Sequence, residues 1–319
     1  MIIGMFNGWY FFWLLLLGGI TTGLYFLLRN KSVKIQKAVL FSILVVGLIA
    51  HFTKVYYPPY STDEARMLRD SWFVNICGAN IALFPVMFFM KNEKVKNYMF
   101  YIGVISGLIA LFYPQEPLAK GDQLGEQLDI IRFYFHHWML LAVPLLMVLF
   151  KHHKISYKKI YSAPTGLLCL MLFIMLNQIF QSELGFIPLR DNTDFFDINY
   201  KNSSYIWGPG TDDAIGDFLA AFCPKFFKTI PVGEYAGQEK YWPWFWLIVP
   251  VYLIVPLLCF LISLIFDHKS FVSDVKLLWA KVCAFISSKT KKSDAAKEAE
   301  ALVAEAAAED AKEEVTVTE

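Results

Sequence analysis

Residues 9–28 read WYFFWLLLLGGITTGLYFLL, an uncharged run, and residues 29–37 read RNKSVKIQK. Together they decide the fold class. A run of about 20 apolar residues makes a helix about 30 Å long, the thickness of a bilayer's hydrocarbon core. The basic flank of Arg29, Lys31, Lys34 and Lys37 orients that helix, because Lys/Arg excess marks the cytoplasmic side. The run is too long for a signal-peptide core and no basic region precedes it, so it reads as a membrane span.

The same pattern recurs outward from this first span. Apolar stretches at about 38–57, 71–90, 97–113, 130–150, 163–184 and 242–266 each approach the required length, the 97–113 stretch being the shortest. Interior Gly and Pro within them are tolerated in membrane helices. Composition agrees: the chain is 56% hydrophobic and 18% charged, against about a quarter charged for a soluble domain. A net charge of +1 gives no electrostatic case for nucleic-acid binding.

The loops alternate in charge. Lys91, Lys94 and Lys96 follow the third stretch, Lys151, Lys154, Lys158 and Lys159 the fifth, and Lys269, Lys276, Lys281, Lys289, Lys291 and Lys292 the seventh. The opposite loops are mixed or acidic, with Asp63, Glu64, Arg66, Arg69 and Asp70 in one and Glu116, Lys120, Asp122, Glu126 and Asp129 in the other. The expectation is an all-α integral membrane protein, a seven-transmembrane-helix bundle with its N-terminus out and C-terminus in, multi-pass in the cell membrane.

Residues 1–266 form the expected membrane domain. Within it 185–241 is a long extracytoplasmic loop carrying Asp191, Asp194, Asp197, Trp207, Gly208, Pro209, Gly210, Asp212 and Asp213, read as a partly ordered cap. Residues 267–292 mix Lys with Phe271, Val275, Leu277, Leu278, Trp279 and Phe285, the pattern of a basic amphipathic helix on anionic inner-leaflet lipids. Residues 293–319 are Ala/Glu-rich and acidic, an expected solvated, disordered tail.

Orientation gives the polar residues a depth. Cys77 lies six residues inside the outer end of its stretch, roughly 9 Å deep. His136 and His137, His51, and Asn177 with Gln178 fall at a similar level on three other spans. Asn80 shares the face of Cys77, three residues on. Ionisable and amide groups are costly in lipid and usually face a bundle interior, so this coincidence points to a cavity open toward the outer side. Blander readings stand beside it. A membrane cysteine can be a small apolar filler, as Cys169 and Cys259 are read here. His51 and Asn177 can be interhelical glue. His136 and His137 point about 100° apart, so one of them lines a cavity at most. Lys54 and Arg132 read as snorkelling, and His152 and His153 as solvated. The five cysteines show no CxxC pair and no metal-ligand spacing; neither a metal nor a cofactor is expected.

The stretch Ser71-Trp72-Phe73-Val74-Asn75-Ile76-Cys77 resembles the "P-L-x-x-C" element of the YwaF-like integral membrane family, itself similar to the transmembrane protein 164 acyltransferase. In order, Tyr113-Pro114 resembles its "T-P" element, Arg132-Phe133-Tyr134-Phe135-His136-His137 its "R-F-x-x-F-x-x-H" element, Asn177 its asparagine ending span six, and Tyr241-Trp242-Pro243-Trp244-Phe245 its "W-P-W-Y" element. The chain departs from the pattern at Val74-Asn75 and Glu183-Leu184, and its 189–241 loop is longer. The resemblance implies a cysteine nucleophile, Cys77, and a histidine, His137, for acyl transfer from membrane phospholipids, with Asn177, Asn80, His51 and His136 positioning substrate. The alternatives are a small-molecule transporter using the polar layer as its site and, last, a heptahelical receptor-like protein. Against the transporter, no inverted repeat and no deep acidic residue is present.

Overall fold

The computed structural model describes residues 2–114, 118, 124–185, 204–210, 214–229, 236–238 and 240–316. The acidic positions Asp191, Asp194, Asp197, Asp212, Asp213, Glu116 and Asp122 lie outside the described residues. The regular structure among the described residues is helical, apart from one isolated bridge between Ile2 and Leu124. In chain order the helices are α1 (Gly8–Leu28), α2 (Val33–Thr53), α3 (Glu64–Ser71), α4 (Ile76–Phe89), α5 (Glu93–Phe112), α6 (Leu128–Leu149), α7 (Ser162–Glu183), α8 (Ala214–Ala221) and α9 (Ile248–Thr316). Among the described residues six helices are long and apolar enough to cross a membrane: α1, α2, α5, α6, α7 and the start of α9. The protein is a multi-pass membrane protein.

The chain's own polar residues set the helix starts. Asn7 caps α1 by accepting from the Tyr10 N–H, Ser32 caps α2 through the Ile35 N–H, and Asn92 caps α5 through the Lys94 N–H. Asn75 caps α4, its Oδ1 taking the Gly78 N–H at 2.6 Å. That cap revises the third stretch. Expected over 71–90, it is helical over Ile76–Phe89, 14 residues, with Phe73 to Asn75 non-helical before it. Hydropathy does not register an N-cap inside an apolar run. The fourth stretch, expected to be the shortest, is a full 20-residue helix because Asn92 starts it a turn early.

α6 is the most enclosed spanning helix and α1 the least. α4 packs against α2, α5, α6 and α7, and α6 also contacts α1, α2 and α5. Two glycines set the closest approach. A Cβ on Gly103 would stand 2.4 Å from the Leu140 carbonyl oxygen, and one on Gly107 would stand 2.8 Å from the His137 carbonyl oxygen. This Gly-x-x-x-Gly pair brings the α5 backbone onto the turns of α6 that carry the histidines. α1 is fastened to α6 by Trp13 stacked on Tyr134, ring centroids 5.1 Å apart, and by the Trp138 indole donating to Thr21 Oγ1. Away from these contacts the surface is apolar, with Leu15, Leu27, Ile49, Phe89 and Ile265 exposed, as lipid requires.

Three indoles anchor the 241–246 element. Trp242 donates to the Thr229 carbonyl, Trp244 to Leu168 of α7, and Trp246 to Tyr205. The Tyr252 hydroxyl then meets Thr165 Oγ1, so the last apolar helix starts beside the first half of α7. The compact first unit ends at Phe266, and Asp267 leaves helical geometry at φ −131°, ψ 22°. The second unit, residues 267–319, is helical through Thr316, with Val272, Leu278 and Trp279 exposed.

Candidate functional site

The polar residues of the sequence gather where α2 and α7 end and α4 begins. Val74 and Phe73 precede the α4 cap outside any helix, so their carbonyls need partners from elsewhere. α7 supplies them: Asn177 Nδ2 donates to the Phe73 carbonyl at 3.4 Å and Gln178 Nε2 to the Val74 carbonyl at 3.3 Å. These amides fix the approach to the first turn of α4, where Cys77 sits half-buried.

One turn on, Asn80 is fully buried. Its Oδ1 accepts from the Tyr98 hydroxyl at 2.9 Å, while its Nδ2 has no hydrogen-bond partner. Tyr98 thus ties α5 to the face of α4 that Asn80 shares with Cys77, three residues earlier.

His51 comes from α2. Its Cε1 lies 3.6 Å from where a Cβ on Gly78 would stand, against the residue after Cys77. Its ring packs over Phe73, centroids 6.0 Å apart, and lies 6.1 Å from the His136 ring. Neither His51 nitrogen makes a hydrogen bond of normal geometry, although the ring is 3% exposed; the Ser71 backbone is its polar neighbour.

The two adjacent histidines of α6 do different things. His136 Nε2 faces the Gly47 carbonyl at 3.0 Å, which requires the proton on Nε2. Its Nδ1 then accepts from Arg132 Nη1 at 3.4 Å, so both nitrogens are engaged. His137 Nδ1 faces the Phe133 carbonyl at 2.7 Å and must donate, which leaves the lone pair on Nε2.

Arg132 is part of a network, not a snorkelling end. It donates to Asp129 Oδ1 at 2.6 Å and to the Tyr60 hydroxyl at 3.0 Å. Lys54, expected at the surface, is 3% exposed; its ammonium donates to the Asp70 carbonyl and lies 5.2 Å from the Tyr60 ring centroid. Neither charge can stay buried without such partners. His153, expected to be solvated, is also buried: its Nε2 donates to Asn97 Oδ1 at 2.7 Å. Burial first, and the Lys96 charge second, lower its pKa to about 4.

α2, α5, α6 and α7 all pack against α4, whose first turn carries the half-buried Cys77 and whose buried Asn80 keeps an unused Nδ2. Sequence reading placed Cys77, His137, His51 and Asn177 in one layer, with His136 and Asn80 beside them. The structure brings His51 against Phe73 and His136, Asn177 against the Phe73 carbonyl and Asn80 against Tyr98, while His137 bonds the Phe133 carbonyl of its own helix. Sequence reading missed Tyr98, which holds the Asn80 amide. It also passed over Gly103 and Gly107, whose four-residue spacing was legible.

No curated protein and no solved structure matches the chain. A family model does, the TMEM164 family, over residues 4–211. That match runs from before α1 through the whole of α7 and takes in every residue of the site. Covering well over half of the 319 residues, it shows that this chain belongs to the TMEM164 family.

Proposed function

We propose that this protein is a lipid acyltransferase or lipid-ester hydrolase that works through a thioester on Cys77. The observation that carries the reading is the set of unused buried groups around that thiol. Asn80 Nδ2 lacks a hydrogen-bond partner and His51 has only the Ser71 backbone near it, short of normal hydrogen-bond geometry; buried polar groups left so are rare without a functional reason. The first turn of α4 adds backbone N–H groups and the positive end of the helix dipole, which favour an anion beside Cys77.

The chemistry follows the atoms. The Cys77 thiol gives its proton to an imidazole as its sulfur attacks the acyl ester carbonyl of a phospholipid. The Asn80 amide donates to the oxyanion that develops. The C–O bond breaks, the alkoxide of the lysolipid takes the proton from the imidazolium, and the acyl group remains on sulfur. An acceptor hydroxyl, or water, then loses its proton to the same imidazole as its oxygen bonds to the acyl carbon, the C–S bond breaks, and the Cys77 sulfur takes the proton back from the imidazolium. His137 is the base in this scheme because its tautomer presents the Nε2 lone pair. His136 holds Arg132 and the Gly47 carbonyl, and His51 positions substrate beside Gly78.

The proposal includes the membrane arrangement. Seven crossings, N-terminus out and C-terminus in, put Cys77 in the outer leaflet of the cell membrane near the depth of phospholipid ester bonds. α4 with the non-helical segment before it makes the third crossing. The basic 267–292 segment rests on anionic inner-leaflet lipids. Purified protein given a phospholipid with a labelled acyl chain is expected to release or transfer the label, and Cys77→Ala and His137→Gln to abolish turnover. Turnover that survives Cys77→Ala removes the thioester mechanism. Solute uptake by proteoliposomes that is indifferent to alkylation of Cys77 favours a transporter instead.

A further inference from the structure

A groove of about 1100 Å³ runs between α4, α5 and α7, larger than the usual small-molecule pocket. Its walls are apolar, with Ala82 and Leu83 on α4 facing Cys169, Leu170 and Phe173 on α7. One end closes at Phe73, the residue whose ring packs on His51. The other end is charged: Glu93, Lys94, Lys158 and Lys159 form a mouth with Ser162. Glu93 pairs with Lys159, so three lysines and one carboxylate leave the mouth a net charge of +2.

The dimensions match one leaflet. From Ser162 to Phe173 is eleven residues along α7, about 16 Å of rise, roughly half of a ~30 Å hydrocarbon core. The charged mouth then lies at headgroup level and the apolar walls at acyl depth.

We infer that this groove is a binding site for one anionic glycerophospholipid, its phosphate at Lys94 and Lys158 and an acyl chain running along α4 and α7 to Phe73. Small side chains on the facing helices, Ala82 and Cys169, leave the width an acyl chain needs. The lysines select a negative headgroup, and the Asn92 amide offers a donor at the same level, the Ser162 hydroxyl being engaged with the Lys159 carbonyl. The site's charged mouth lies at the far end of α4 from Cys77, while its apolar end, lined also by Ala79 and Tyr98, reaches the neighbours of the thiol. The assignment holds whether or not Cys77 is a nucleophile.

The test uses the full chain purified in mild detergent, with phosphatidylglycerol and phosphatidylcholine as the probes. Native mass spectrometry is expected to show one phosphatidylglycerol retained per chain, preferred over phosphatidylcholine by at least about tenfold. Lys94→Glu with Lys158→Glu is expected to erase the preference while leaving acyl-chain binding in place. Ala82→Trp with Cys169→Trp is expected to lose both lipids. In the unmodified chain, where folding is not in question, phosphatidylglycerol is expected to slow alkylation of Cys169, which is exposed, but not of the exposed Cys283. Equal retention of the two lipids, retention by the tryptophan variant as strong as in the unmodified chain, or Cys169 alkylation indifferent to phosphatidylglycerol overturns the assignment.

Discussion

Replacing Gly103 by alanine is expected to destabilise the bundle, and its size can be worked from the α5–α6 approach. A Cβ there would stand 2.4 Å from the Leu140 carbonyl oxygen and 2.9 Å from Phe84 Cε2, where ordinary contact begins near 3.4 Å. The helices must part locally by about 1 Å, and neither a backbone carbonyl nor a buried ring yields cheaply. Overpacking of this kind costs about 1–3 kcal/mol, while alanine in a helix interior returns about 1 kcal/mol over glycine. At the tight end of that range the net expectation for Gly103→Ala is a loss of up to about 2 kcal/mol. At Gly107 the shortfall is smaller, with 2.8 Å to both the His137 carbonyl and Leu141 Cβ, so Gly107→Ala is expected to cost about 1 kcal/mol or less. It moves the turn bearing His137, however, and is expected to lower lipid turnover more than stability. Gly18 of α1 has nothing within 4 Å of its would-be Cβ and serves as the reference: Gly18→Ala should be neutral or slightly stabilising. Thermal unfolding followed by tryptophan fluorescence in one detergent gives the ranking. If Gly103→Ala unfolds with Gly18→Ala, the close approach of α5 and α6 is wrong, and with it the support described for His137.

Asp129→Asn leaves the largely buried Arg132 guanidinium without its carboxylate, and a loss on the order of 3 kcal/mol is expected in the same unfolding assay. His136→Leu, which removes one engaged neutral ring, should cost less; the reverse order contradicts the network as described. His153 gives a pH signature. Its ordinary pKa of 6.5 falls to about 4 on folding, so the folded state binds fewer protons than the unfolded state between those values. Its contribution is complete above pH 6.5, is lost as pH falls toward 4, and amounts to about 2 kcal/mol by pH 5. His153→Gln should flatten the fall in melting temperature between pH 7.5 and 5; a variant that loses stability over that interval as fast as the unmodified chain refutes the assignment.

Hydropathy makes the long runs legible because lipid imposes length and apolarity on each helix separately. Six helices fall where their runs predict them. The reading fails where local polar chemistry interrupts a run. Asn75 takes a backbone N–H and starts α4 five residues late, which no average over the stretch can register. Burial of Lys54, Arg132 and His153 depends on partners far along the chain: Asp70, Tyr60 and Asn97. The depth of each site residue could be estimated from the span ends, but the pairing of their side chains could not. Which imidazole nitrogen holds a proton depends on carbonyls, at Gly47 and Phe133, that adjacent letters do not distinguish.

The most direct test of the central claim is the bond itself. Protein incubated with a phospholipid carrying a labelled acyl chain, quenched in acid and digested, is expected to yield the peptide containing Cys77 increased in mass by one acyl group. Neutral hydroxylamine should remove the adduct, and His137→Gln should prevent its formation. Lipid turnover accompanied by an unmodified Cys77 peptide, or by an adduct on another cysteine, contradicts the account.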